Sequence, residues 1–294
     1  MFEVVRKNKI RTGFIISSFI IIITLILYYI CLAFNVSGYM AITIAVLFSI
    51  LASWGSYYNS DKIILQISKA RPATLEEDKK LVHILEALMI SSGLQTQPKL
   101  YVIDNNQPNA FATGRNPEHA IICVTTGLLN KLDYYELEGV IAHEMAHIKN
   151  YDILLSAVVT VMVGMIVILS DMFTRSFFRN NNRDNDNKGS SILMLIGFIF
   201  LILSPIIGKL MQMAVSRNRE FLADSTAVEF TRNPDGLISA LQKLESDTSE
   251  LKSATKATEN MYIVNPFKNK KRASNLFSTH PSTEARIEAL KNIK

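Results

Sequence analysis

Cysteine is almost missing from these 294 residues: only Cys31 and Cys123 occur. The first lies in an apolar run and the second in a strand-like segment, so neither a disulfide framework nor a cysteine-built zinc site can be assembled. The lack of cysteine pairs suits a reducing compartment for the polar part of the chain. Charge is missing as well, over long stretches. Residues 12–34 and 39–58 contain no charged side chain. With 49% hydrophobic residues and a mean hydropathy of +0.19, the chain is too apolar for an ordinary soluble protein and points to membrane spans. Histidine is scarce too, at five residues, so any ordered group of histidines carries information.

The net charge of +5 is a mild basic excess. In a membrane protein it reads as lysine and arginine flanking the spans, and a nucleic-acid partner is not expected. Arg6, Lys7, Lys9 and Arg11 precede the first apolar run, and Lys62, Lys69 and Arg71 follow the second. Each run has the roughly 20 residues a bilayer crossing needs. A signal peptide is the rival for the first run. The run is too long for one, no small-x-small cleavage site ends it, and a second run follows at once. Basic residues at both outer ends, with none in the short turn at 35–38, predict that both ends lie in the cytoplasm. Trp54, Tyr57 and Tyr58 cluster like an interfacial belt.

From Pro72 the composition becomes that of a soluble domain. Thr74, Leu75, Glu76 and Glu77 read as a capping box, and the helix behind them carries Leu81, Ile84, Leu85, Leu88 and Met89 at helical spacing before Gly93. His83 on this helix reads as a surface histidine. Residues 98–104 form a short strand, and 109–114 and 119–124 a hairpin around a turn-rich 115–118. A strand edge there can hold an extended peptide by main-chain pairing, which makes Asn109, Ala110 and Phe111 candidate substrate-binding residues; a purely structural sheet is the equal alternative.

The most informative stretch is His143-Glu144-Met145-Ala146-His147, inside a helical run over 134–149. Residues four apart share a helix face, so His143 and His147 can aim two imidazoles at one metal ion. Glu144 projects beside that ion, where a carboxylate can take a proton from a water on it. Zinc hydrolases with two helical histidines need a third protein ligand. Glu220 is the candidate. Asp224, one turn further on the same face, can accept the second ring N–H of a ligand histidine and fix its tautomer. Between the two halves, residues 153–169 and 191–207 are apolar and read as a third and fourth span. The intervening loop carries Arg175, Arg179, Arg183 and Lys188, which the positive-inside rule disfavours outside, so a hairpin that only dips into the membrane is the rival. Beyond Glu220, residues 235–245 are a short amphipathic helix, the basic run 268–272 suits anionic lipid, and a terminal helix covers 282–293.

Taken together, the helix pair, Asn109-Ala-Phe-Ala-Thr-Gly114, the His-Glu-x-x-His motif, Arg219-Glu220-x-x-x-Asp224 and Phe277-Ser-Thr-His280-Pro281 resemble the HtpX membrane metalloproteases, related to the type I CAAX prenyl proteases. The resemblance covers nearly the whole chain. It implies a zinc endopeptidase of the gluzincin type, with one zinc ion, in a bacterial cytoplasmic membrane and with its active site toward the cytosol. The substrates it implies are misfolded or damaged membrane proteins. It also places His280 near the site, where it can donate to a developing oxyanion; Arg286 is a rival for that role. The expected architecture is a mainly α integral membrane protein with an α+β zincin catalytic domain. Its parts are a helix pair over 1–60, a first catalytic portion over 61–152, a second membrane hairpin over 153–215 and a second catalytic portion over 216–294. Two other functions stay open. One is a site-specific processing protease for lipidated or membrane-linked substrates. The other is a non-catalytic membrane chaperone with structural zinc, against which the presence of Glu144 argues.

Overall fold

The computed structural model describes residues 2–33, 35–76, 78–164, 217–247, 261–263 and 281–293. The apolar stretch 191–207, the loop 171–190, the basic run 268–272 and His280 lie outside these described residues.

Two long helices open the chain, α1 (Phe2–Ala33) and α2 (Gly38–Ser68). Both contain segments long and apolar enough to cross a membrane, Asn8–Leu32 and Gly38–Ser68. They pack along each other, and the buried side of α2 is a stripe of small residues: Ala41, Ala45, Ser49, Ser53, Ser56 and Ser60. Small side chains let two membrane helices approach closely, because lipid offers no hydrophobic force to drive the pairing. The opposite side of α2 presents Tyr39, Leu47, Leu51 and Trp54 outward. The sequence suggests an end to this span near Tyr58, but the helix continues for ten more residues. Nothing between 59 and 68 breaks a helix, and α2 stops only where Lys69 turns left-handed (φ 53°) and its N–H bonds back to Leu65 and Gln66.

A four-stranded mixed sheet follows, from β1 (Arg71–Pro72), β2 (Lys99–Ile103), β3 (Ala110–Thr113) and β4 (Ile121–Thr125), in the order β1-β2-β4-β3. β3 and β4 form the expected antiparallel hairpin, with Ala110 opposite Val124 and Thr113 opposite Ile121; β2 runs parallel to β4. The hairpin turn is a short 3₁₀ segment whose N-cap, Asn116, accepts a hydrogen bond from the His119 N–H. Between β1 and β2, α3 (Lys79–Ser92) begins four to five residues later than the expected capping box. Asp78 is the reason: its carboxylate takes the Thr74 N–H at 3.0 Å and Arg71 at 3.1 Å, so 74–76 are held as a turn.

α4 (Thr126–Lys131) leads into α5 (Tyr134–Lys149), which carries the histidine motif. α5 starts in a full capping box. Asp133 accepts from the Glu136 N–H while the Glu136 carboxylate accepts from the Asp133 N–H. The sequence suggests an almost continuous helix from here into the third apolar stretch. Instead the chain turns by 85° between α5 and α6 (Asp152–Gly164). Tyr151, at φ 60°, takes up the left-handed conformation that makes the turn. Three helices complete the described chain: α7 (Arg217–Thr231), α8 (Pro234–Glu245) and α9 (Thr283–Lys291).

The main core lies between the sheet and α3, α5, α7 and α8, with Leu85, Ile122, Leu137, Ile141, Ala223 and Leu241 at its centre. A second cluster joins α1 to α6 through Ile15, Phe19 and Ile23 against Leu155, Val158 and Met162. α5 therefore sits inside protein on nearly all sides, and the membrane helix α1 reaches the element that follows it.

Candidate metal centre

His143 and His147 occupy successive turns of α5, and α7 brings Glu220 against them. The two Nε2 atoms are 3.2 Å apart. Glu220 Oε2 is 3.8 Å from His143 Nε2, and its Oε1 is 3.6 Å from His147 Nε2. Donors about 2.0–2.1 Å from a tetrahedral ion lie roughly 3.4 Å from one another, so this triangle has the size such an ion requires. The two nitrogens stand at N–H···N distance, so they share a single cation between them, a proton or a metal ion in its place.

Both imidazoles are set by carboxylates on their other nitrogen. His143 Nδ1 donates to Asp224 Oδ1 at 2.9 Å, and His147 Nδ1 donates to Asp152 Oδ2 at 3.0 Å. That turns each Nε2 toward the centre of the triangle, where a metal would displace the proton that His147 otherwise carries. Asp224 is held in turn by Arg286 on α9, whose Nε and Nη2 meet its two oxygens at 2.9 and 2.6 Å. Arg286 is buried, its Nη1 donates to the Ile263 carbonyl at 3.4 Å, and it stands 3.8 Å from Glu220.

The charge states follow from these contacts. Burial, reinforced by the Arg286 cation, pushes His143 down to about 4, so it is neutral and its lone pair is available. His147 is also buried, but the Asp152 hydrogen bond and the Glu220 and Asp152 charges outweigh that and raise it to about 9. Asp224 stays ionised: burial raises its pKa, and Arg286 overcomes this and brings it to about 2. Burial pushes the Glu144 carboxyl up to about 7, against an opposing pull from His147.

Glu144 faces the edge of the sheet, where the Ala112 backbone N–H donates to it. The side chains of Asn109, Ala110 and Phe111 are buried. Asn109 accepts from the Ala110 N–H, Phe111 packs edge-on against Tyr262 with centroids 5.1 Å apart, and the Ala110 carbonyl accepts from the Ile263 N–H at 3.0 Å. His147 is the most open of the three triangle residues, with 16% of its side chain exposed, so the site is approached from its side. His83 is exposed on α3.

Sequence reasoning missed Asp152. It falls five residues after His147, past the end of the motif helix, and reaches back only because the chain turns sharply at Tyr151. A carboxylate one turn beyond a histidine motif was the available signal.

A metal triangle on two buried helices, with a glutamate beside it and apolar helices leading in, defines a membrane metallopeptidase. The match to a family model agrees: Peptidase family M48 covers residues 75–294, and the chain belongs to that family. It is 44% identical to a Protease HtpX homolog of Dictyoglomus thermophilum over 99% of this chain and 94% of that protein. It is 39% identical to a Protease HtpX homolog of Listeria monocytogenes serotype 4a over the full length of both. The crystal structure of S. mikatae Ste24p matches with a TM-score of 0.50 at 18% identity, over 96% of this chain. The chain spans 64% of that protein's length, just under two thirds, and the likeness is one of fold.

Proposed function

We propose that the chain is a zinc endopeptidase of the gluzincin type that cleaves unfolded or damaged membrane proteins at the cytosolic face of a bacterial cytoplasmic membrane. The observation that carries this reading is the convergence of His143, His147 and Glu220 with Glu144 beside them. Two imidazoles and one carboxylate with a fourth position open is the donor set of hydrolytic zinc sites. Bound there, zinc supplies an acidified water and a Lewis acid for the scissile carbonyl.

The chain's own residues do the rest. Glu144 accepts a proton from the attacking water and later delivers it to the leaving amine; a carboxyl pushed to about 7 is suited to moving a proton both ways at neutral pH. The Ala112 N–H holds that carboxylate at the strand edge. Asp224 and Asp152 keep the two imidazoles in one tautomer, and Arg286 keeps Asp224 charged. A substrate strand pairs with the backbone edge of β3 beyond the point where Ile263 covers Ala110, while Asn109 and Phe111 support that edge from within.

Orientation follows from charge. The metal centre lies at the end of α1 where Arg6 and Lys9 are found, because Asn8 touches Asp152. The positive-inside rule puts that end in the cytosol. Residues so close to the membrane meet substrates that are themselves membrane-bound.

The test pairs the purified wild type with Glu144→Gln, each incubated with casein, with zinc and with a chelator. Metal-dependent cleavage by the wild type, lost about 10²-fold or more in a variant that still binds zinc, is expected. Cleavage by the variant at the wild-type rate removes Glu144 from the mechanism. Zinc binding by both without cleavage of any unfolded or membrane protein favours a site-specific processing protease of narrow specificity or the chaperone reading.

A further inference from the structure

Asn8 is buried at the start of a helix otherwise built for lipid. An amide taken out of water there is costly unless it is hydrogen-bonded. Its bonds lead out of its own helix and 142 and 144 residues along the chain: Nδ2 donates to the Asn150 carbonyl at 3.1 Å and to Asp152 Oδ1 at 2.7 Å. The other oxygen of Asp152 accepts from His147. A single buried relay therefore runs from the first membrane helix to a side chain of the metal triangle.

Two neighbouring contacts clamp the same turn. The Lys9 ammonium lies 4.3 Å from the centre of the Tyr151 ring. Tyr151 is the left-handed residue on which the 85° bend depends. Further along α1, Ile15, Phe19 and Ile23 pack on α6, fixing α1 relative to Asp152, the first residue of α6. Among the described residues, Arg219 Nη1 also faces that carboxylate, at 3.6 Å from Asp152 Oδ1.

We propose that Asn8 is a positioning residue for the metal centre: it fixes the Asp152 carboxylate that orients His147, so the seating of α1 against the α5–α6 turn sets the affinity for metal. The inference rests on His147 being a ligand, as read above. Without the Asn8 amide, Asp152 keeps its pull toward Arg219 and rotates off the imidazole. His147 then loses the fixed direction of its Nε2 lone pair. The first membrane helix is thus part of the catalytic assembly as well as its anchor.

The test uses the full chain in detergent, with Asn8→Ala, Asn8→Asp, Thr12→Val and His147→Ala beside the wild type. Zinc affinity is read by competition with a chelating dye, and ligand geometry by the visible absorption of the cobalt(II)-loaded protein. Asn8→Ala is expected to bind zinc about 10-fold more weakly, at the lower end of the loss seen when a ligand's supporting partner is removed. Asn8→Asp, which keeps the side-chain size but sets a carboxylate against Asp152, is expected to weaken binding at least as much. Both should shift the cobalt spectrum. Thr12→Val, on the same buried side of α1, removes the hydroxyl bond to the Asn8 backbone carbonyl but leaves the Asn8 side-chain amide and its bonds in place, and should match the wild type. If Asn8→Ala does not fold, the near-isosteric Asn8→Asp decides. Wild-type affinity and spectrum in the Asn8 variants, with binding lost in His147→Ala, overturn the positioning role. So does an equal loss in Thr12→Val, which would make packing of α1 the cause. Undiminished zinc binding by His147→Ala sinks the ligand reading itself.

Discussion

At the residue scale the metal centre depends on buried charge that is balanced pair by pair. Asp224 and Arg286 are each almost fully buried, and their two hydrogen bonds are short. Removing Arg286 leaves Asp224 charged with only the His143 N–H against it, and breaking a buried pair in this way costs about 3–5 kcal/mol. Arg286→Met is therefore expected to lower the unfolding free energy of the detergent-solubilised protein by about that much, as denaturant titration would show. An unchanged midpoint would mean that the His143 bond alone suffices to hold the Asp224 charge. Asp152 differs because it lies beside the more open histidine. Asp152→Asn keeps the shape but weakens the acceptor. Zinc affinity should fall about 10- to 100-fold with little effect on folding. Equal zinc affinity in wild type and variant would show that His147 orients itself. These two residues also mark how far the sequence could be read. His143, Glu144 and His147 are legible because one helix carries them at fixed spacing. Glu220 follows from the need for a third donor, and Asp224 from its place one turn further on the same helix face, where it can meet a histidine's second ring N–H. The partners of the aspartates come from α9 and α1, and no local pattern announces a contact 62 or 144 residues away.

At the element scale, α5 is positioned by a close crossing with α8. Gly139 allows it: a Cβ built there would stand 2.8 Å from the Leu237 nitrogen. Gly139→Ala must push α8 away or twist α5, and overpacking of this kind costs about 1–3 kcal/mol. Because α5 holds both histidines, the variant should lose metal affinity along with thermal stability. A variant as stable and as tight for zinc as the wild type would show that the crossing is slack. Glu136, one turn earlier on the same face of α5, ties the same two helices through Ser239 at 2.5 Å and Lys243 at 2.6 Å. Burial raises the Glu136 pKa, but bonds from Lys243, Ser239 and the Asp133 N–H outweigh that, so the folded value lies below the ordinary 4.5. A carboxylate depressed in the folded state stabilises fully above its unfolded pKa, and the benefit is lost as pH falls through the folded value. Stability should therefore fall below about pH 4.5, and Glu136→Gln should flatten that part of the curve. An acid limb of the same steepness in the variant would assign it to other carboxylates. The extents of α5 and α8 were legible because capping residues, Asp133 and Asn233, begin them, and the end of α7 because Asn233-Pro234 follows it. The start of α3 was misread because Asp78 competes for the Thr74 N–H. The α5–α6 bend was hidden because a tyrosine, with no glycine or proline near it, makes the turn.

At the scale of the whole molecule, two membrane helices and a catalytic domain share one boundary. The end of α2 runs directly into β1, and the start of α1 touches the α5–α6 turn, so both outer ends of the hairpin meet the domain. The short turn at 35–37 lies at the far end of both helices. If the basic residues fix orientation, that turn is outside the cell and the domain inside. Single cysteines on a Cys31→Ser background test this, since the remaining Cys123 is buried. Ser37→Cys, exposed at the far turn, should react with a membrane-impermeant maleimide in intact cells. Leu75→Cys, on an exposed turn of the domain, should react only after the membrane is opened. The reverse pattern would place the metal centre outside, against the basic flanks of the helix pair. Reaction of neither position before permeabilisation would mean that the hairpin does not cross. The outcome also bears on substrate. A centre tied to the start of α1 on the inner side would reach cytosolic loops and extracted segments of membrane proteins, and a centre on the outer side would see a different population.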